Sequence, residues 1–239
     1  MVPAVVAGFL GLVMWCGDVA AADAKPDEDG EAPSVTLTSK WQTLYVPKRG
    51  IGTGQMPKNS PLEVLTDFEV TGPRPGHPFE FGEFKSIGRW GEMRGALQTS
   101  GKNAVLRIAR AEDFTLEGQF FGEGLGGWFL LVGWDTGHGY GLMNVTLKES
   151  GSPWLISEFR DSKAIEPTYT ELHRLNWKGV QPLRLTVADK KLSLQVGKEV
   201  VAEEFELPNY HEGDIILGTY DTRYGPKQAR IHSLRIRGK

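Results

Sequence analysis

A chain of 239 residues with 27 Lys and Arg against 30 Asp and Glu carries a formal charge of −3, which excludes the basic field that nucleic acid or an anionic membrane surface requires. A neutral carbohydrate or another small polar ligand is the better-matched partner. One cysteine, Cys16, excludes an intrachain disulfide framework, and the length suits one core better than two, so a single domain working as a monomer is expected.

In chain order, residues 2 to 15 form an apolar run followed by the small residues Val19, Ala20, Ala21 and Ala22, the pattern of a signal peptide over 1–22. The run is shorter than the ~20 residues that cross a bilayer as a helix, so no membrane span is expected. No Lys or Arg precedes it, and Cys16 offers lipidation as an alternative, against which stands the bulky Trp15 just before it. Cleavage near Ala22 takes 22 of 239 residues and leaves 217, with 27 basic against 29 acidic side chains once Asp18 is gone. The exported chain, periplasmic or extracellular, then has no thiol nucleophile and no thiolate metal site.

Residues 23–34, DAKPDEDGEAPS, are acidic and lack aromatics, and they read as a disordered tether. From 35 to 239, aromatic and β-branched residues recur in short alternating segments broken by Gly, Pro, Asn and Asp, with no sustained 3.6-residue apolar period. The 30 Gly and 14 Pro suit a chain that turns often. The pattern predicts strands over 104–109, 114–121, 128–134, 140–147, 154–160, 183–188, 192–196, 215–220 and 229–237, and hence an all-β sandwich of two antiparallel sheets. The clearest hairpin is LRLTVADKKLSLQV, where Leu183, Leu185 and Val187 face Leu192, Leu194 and Val196 across a polar turn. A second tight reversal at Gly197 and Lys198 leads into Val200 and Val201. Between residues 47 and 90, Gly50, Gly52, Gly54, Pro57, Pro61, Pro73, Pro75 and Pro78 break the pattern and predict long loops.

The run RGALQTSGKNAVLRIARAEDFTLEGQFFGEGLGGWFLLVGWDTGHGYGLMNVTL, the LRLTVADKKLSLQVGKEVV hairpin and the last segment ARIHSLRIRG resemble concanavalin A-like sandwich domains over roughly residues 85 to 238. The subgroup most similar is the secreted 3-keto-disaccharide hydrolase-like domain; laminarin-G-type and legume-lectin-type domains share the strand pattern. The resemblance implies a two-sheet jelly roll, a carbohydrate ligand on an open sheet face, and either glycoside hydrolysis or non-catalytic recognition or adhesion. It transfers no catalytic residue, because its motifs are strand patterns.

The richest chemistry lies in residues 127–147. Period two puts Trp128, Leu130, Val132 and Trp134 on one face, so that Trp134, Asp135, His138 and Tyr140 can gather at the rim, where a ring, a carboxylate and an imidazole suit a sugar. Alternatively, Trp128 and Trp134 are core and the DTGHG stretch is only a hairpin loop. On WLISEFRD, Glu158 and Arg160 point opposite to Leu155, Ser157 and Phe159, onto an open face, or else form an ordinary surface ion pair. A third set is Tyr220, Asp221, Arg223 and Tyr224, whose bland reading is local packing of the tyrosines. If the chain is a hydrolase, Glu158, His138 and Asp135 are its candidate acid–base groups; Trp134, Tyr140, Asn144, Arg160, Tyr220, Asp221 and Arg223 are the candidate ligand contacts. A structural cell-envelope role is the remaining alternative.

Other motifs fail on context. GEGLGG over 122–127 matches a dinucleotide fingerprint but runs into a strand, not a helix. Glu212 and Asp214 begin an E-x-D-x-x-E glucanase pattern that ends on Leu217, so one carboxylate is missing. The five His show no metal-ligand spacing, and no cofactor is expected.

Overall fold

The structure, a computed structural model, describes residues 35–47, 52–66, 68–74, 77–85, 88–100, 103–122, 127–144, 153–169, 179–220 and 229–239, with backbone alone for 69–74, 77–85 and 166–169. All of them belong to one unit, Ala32–Lys239. The signal peptide of 1–22, the tether of 23–34, and Asp221, Arg223 and Tyr224 lie outside the described residues.

Every regular element among the described residues is a strand, as expected of a chain rich in alternating β-branched and aromatic positions. In chain order they are β1 (Gln42–Tyr45), β2 (Glu63–Leu65), β3 (Glu69–Arg74), β4 (His77–Lys85), β5 (Arg89–Met93), β6 (Ala96–Ser100), β7 (Val105–Ala111), β8 (Phe114–Gly122) and β9 (Trp128–Asp135). There follow β10 (His138–Asn144), β11 (Trp154–Arg160), β12 (Lys163–Tyr169), β13 (Val180–Ala188), β14 (Lys191–Val196), β15 (Glu199–Glu206), β16 (Gly213–Thr219) and β17 (Ala229–Gly238). Over its described residues each of the nine segments expected from the sequence is a strand here; residues 145–147 of the expected strand 140–147 lie outside the described residues. The long loops expected between 47 and 90 are corrected: β2, β3, β4 and the start of β5 lie there. Pro73 and Pro78 suit a two-stranded ribbon: among the described residues β3 and β4 pair only with each other, and proline is tolerated on edge strands and at irregularities such as the register shift between Pro73 and Arg74.

Two antiparallel sheets make the sandwich. The eight-stranded sheet runs β15-β14-β13-β8-β17-β6-β5, with β1 also on β17; the seven-stranded sheet runs β12-β11-β10-β9-β16-β7-β2. Between them, Leu116, Phe120, Leu185, Leu194 and Ile231 of the first meet Leu106, Trp128, Leu130, Leu142 and Trp154 of the second. Trp128 is gripped from across the core by Phe120, edge-on at 5.5 Å, and by Trp90 at 6.1 Å. In the β13–β14 hairpin Leu185 lies opposite Leu194, both essentially free of solvent contact, and the turn takes positive φ at Asp189 and Lys190. The expected alternation is therefore the observed one.

The sheets differ on their outer faces. The seven-stranded sheet is apolar there too: Phe129, Leu131, Met143, Leu155, Phe159 and Ile216 form a second buried cluster with Val105, Trp134 and Tyr220. The eight-stranded sheet turns Thr115, Glu117, Gln119, Arg184, Gln195 and Arg235 outward, opposite to its buried leucines, and this is the polar face. Among the described residues no helix is long and apolar enough to cross a membrane.

Candidate functional site

The site is positioned by one glycine. Along β9, Trp128, Leu130 and Val132 do share the inter-sheet face, but at Gly133 the backbone takes φ +60°, and β9 has one residue more than either neighbour. His138 pairs with Asp135 and Tyr140 with Val132 on one side; Asp214 pairs with Trp134 and Ile216 with Leu131 on the other. Such a bulge reverses the alternation. Trp134 therefore does not follow Val132 as the sequence pattern predicts. It sits on the outer face, 5% exposed, with its ring 5.6 Å from Phe159 and 5.9 Å from Phe68. Only glycines allow the close approach of the neighbouring strands: a side chain at Gly139 would lie 2.8 Å from the Gly133 carbonyl oxygen, and one at Gly213 would lie 2.6 Å from the Trp134 nitrogen.

Beyond the bulge, two hairpin tips stand side by side. The β9–β10 turn takes positive φ at Thr136 and Gly137, the β11–β12 turn at Asp161 and Ser162, and the Ser162 N–H donates to the Gly137 carbonyl at 2.9 Å. The segment between β15 and β16 closes the third side. Tyr210 anchors it, buried, with its hydroxyl donating to the Glu112 carbonyl at 2.8 Å. From that anchor Asn209 reaches across: its backbone N–H donates to Tyr140 Oη at 3.3 Å and its Nδ2 donates to both Glu158 oxygens at 3.2 Å. Arg160 Nε donates to Glu158 Oε1 at 2.9 Å. Burial, first, and the charge of Glu158 push the Tyr140 phenol above its usual range, against the Asn209 hydrogen bond and the Arg160 charge, which pull it down.

The result is a cleft of about 380 Å³ bordered by Asp135, His138, Tyr140, Glu158 and Arg160, five of the residues singled out from the sequence. His138 Nε2 lies 3.6 Å from Asp161 Oδ1 at the mouth. Asp135 is backed by Arg110 at 3.7 Å, which also faces Glu212 and Asp214; Arg107 in turn holds Asp214 at 2.9 Å and Glu63 at 2.6 Å. The incomplete glucanase motif is thus part of an ion-pair network.

Three expectations need correction. Glu158 does not stand on an open sheet face. Trp154, Ile156 and Glu158 alternate onto the inter-sheet side, and Glu158 pairs with Tyr140, so the carboxylate emerges at the end of the core. Trp134 is packed away from the cleft. Asn144 is fully buried near the other end of β10, where its carbonyl accepts the Tyr220 hydroxyl at 2.9 Å and the Gly127 N–H at 3.0 Å; Tyr220 belongs to the outer apolar cluster. Sequence reasoning missed Asn209 and His211, which also line the cleft. Their one signal was a polar PNYH turn ahead of a predicted strand. Nothing local ties that turn to Glu158, 51 residues away. Among the described residues no group of three or more His, Cys, Asp or Glu is placed to hold a metal ion.

No family model matches the chain, and no curated protein matches it. Solved structures do resemble it. The carbohydrate recognition domain of Emp47p is 12% identical with a TM-score of 0.49, over 85% of this chain and 99% of that one. The carbohydrate-binding module CBM66 from Bacillus subtilis is 13% identical with a TM-score of 0.46, over 71% and 96%. A GlcNAcα1-4Gal-releasing endo-β-galactosidase from Clostridium perfringens is 11% identical with a TM-score of 0.42, over 87% and 61%. These likenesses are of fold.

Proposed function

We propose that the cleft between the two hairpin tips binds a neutral carbohydrate and that the chain is an exported carbohydrate-recognition protein. The observation that carries this reading is the mixture of groups converging there: Asp135 and Glu158 accept hydrogen bonds, Arg160 and the Asn209 amide donate them, and His138 and His211 do either. Sugar hydroxyls both donate and accept, so such a border satisfies them. The opposing charges suit an uncharged ligand, and the volume of about 380 Å³ falls within the ordinary range of small-molecule sites. With Trp134 buried, recognition rests on hydrogen bonds. About four of them at a net ~1 kcal/mol each correspond to a dissociation constant near 1 mM.

The test is a glycan array followed by calorimetric titration of the sugar found. Asp135→Asn and Glu158→Gln should each weaken binding by about 1 kcal/mol or more while the fold persists. Unchanged affinity in both folded variants would place the ligand elsewhere.

A catalytic reading, hydrolysis of 3-keto-glycosides, is favoured by the imidazole–carboxylate pair of His138 and Asp161 at the mouth, beside Asp135. Incubation with 3-keto-disaccharides decides it: His138→Ala should lower turnover by about 10²- to 10⁴-fold if the residue is an acid–base group. Absence of any turnover by the wild type leaves the binding reading. Export is part of the proposal, and mass spectrometry of protein recovered outside the cytoplasm should find a chain beginning near Asp23.

A further inference from the structure

The other side of the sandwich carries a feature that this cleft does not use. A groove of about 530 Å³ crosses the outer face of the eight-stranded sheet over β1, β17, β8, β13 and β14. Five strands at ~4.8 Å spacing give it a length of about 19 Å. Irregular pairing accounts for it. β6 pairs with β17 at Arg230 and Ile231, β1 pairs with it from Leu234 to Ile236, and β17 bulges against β8 between Ile231 and Ser233.

At its centre a carboxylate is held between two guanidinium groups. Glu117 lies opposite Arg184 of β13 and opposite Arg235 of β17; it accepts from Arg235 Nε at 2.9 Å and Nη2 at 2.5 Å, and Arg184 Nε lies 3.5 Å away. The Arg235 guanidinium also stacks 4.4 Å over the Trp41 ring. Both arginine side chains are about half exposed, at 54% and 51%, against 21% for Glu117. The trio therefore keeps one net positive charge, fixed in place, and most of the ten guanidinium N–H groups are not aimed at Glu117. Gln119, Gln195, Thr43 and Ser233 flank it with neutral donors and acceptors.

We propose that this groove is a second ligand site and that it takes an acidic saccharide, one whose carboxylate or sulfate group docks on Arg184 and Arg235 while its hydroxyls bond the flanking amides and hydroxyls. Among the lining residues of the groove the charge is confined to this trio, with Arg237 stacked 4.8 Å over the same Trp41 ring beside it. On a chain whose net charge is −3 such a localised cationic spot matches an isolated anionic group on a hydroxylated scaffold better than a continuous polyanion. The groove is independent of the Asp135–Glu158 cleft, so either assignment stands if the other fails.

Calorimetric titration of the full chain with trigalacturonate, with a sulfated galactose trimer and with neutral galactotriose tests this. At least one acidic trimer should bind about 10- to 100-fold more tightly than the neutral one, the worth of one charge-assisted bidentate contact, and should weaken with added salt. Arg184→Gln, which leaves the Glu117–Arg235 pair in place, should remove that preference, and Arg184→Lys should restore only part of it. The arm that binds identifies the anion as carboxylate or sulfate. Equal affinity for acidic and neutral trimers, no binding of either acidic trimer, or a preference intact in Arg184→Gln would overturn the proposal.

Discussion

Replacing Gly133 by alanine tests the device that positions the cleft. Two costs follow from the structure. The backbone at φ +60° is left-handed, which burdens any residue with a Cβ by roughly 1–2 kcal/mol. The added methyl would also stand 2.7 Å from the His211 carbonyl oxygen and 2.7 Å from the Tyr210 ring, so the β15–β16 segment must move, an overpacking cost of about 1–3 kcal/mol. Gly179 separates the terms. It too has positive φ, +75°, but among the described residues its Cβ would meet nothing within 4 Å, so Gly179→Ala should show the backbone cost alone. Equilibrium urea unfolding of both variants should find Gly133→Ala about 1–3 kcal/mol less stable than Gly179→Ala. Because the displaced segment carries Asn209, sugar affinity should fall in Gly133→Ala and hold in Gly179→Ala. Equal destabilisation by the two substitutions would refute the tight approach at Gly133 and with it the account of how the cleft is closed.

Leu185→Ala and Leu194→Ala should each cost about 2–4 kcal/mol by denaturant unfolding, since the two side chains face each other in the solvent-free core; near wild-type stability in either would mean the core refills the space. Trp134→Ala should destabilise by about 3–5 kcal/mol through loss of the outer apolar cluster, while any surviving folded protein binds sugar as before. A selective loss of binding would instead put the ring in the cleft. Burial pushes the Tyr45, Tyr140 and Tyr210 phenols above their usual value of 10.0, so the unfolded chain gives up these protons first. Their contribution to stability is complete below about pH 10 and declines as pH rises beyond it. Melting temperatures followed into that range should fall less steeply in Tyr210→Phe than in wild type, and identical slopes would contradict the assignment.

The all-β class, nine strands and the β13–β14 register were legible because period-two alternation is written locally: each residue's neighbours two positions away report the face it occupies. Asp135, His138 and Tyr140 were legible as a group for the same reason, since a short hairpin turn keeps its flanks together. The N-terminal strands were not, because there the alternation is crowded out by Gly and Pro, and pairing at a free edge tolerates residues that a central strand would reject.

What the chain could not announce was the effect of one inserted residue. Up to Val132 the pattern assigns faces correctly; at Gly133 the bulge reverses the assignment and sends Trp134 away from the ligand side, a displacement invisible to any count of alternating positions. In the same way, Glu158 alternates cleanly with its neighbours, yet alternation alone does not say which side is the core. That was decided by Trp154 and Ile156 packing against the opposite sheet and by Asn209, which arrives from a distant turn to hold the carboxylate. Local periodicity determined which residues are strand; bulges and long-range contacts, whose geometry depends on the packing of strands far apart in sequence, determined which of them meet at the cleft.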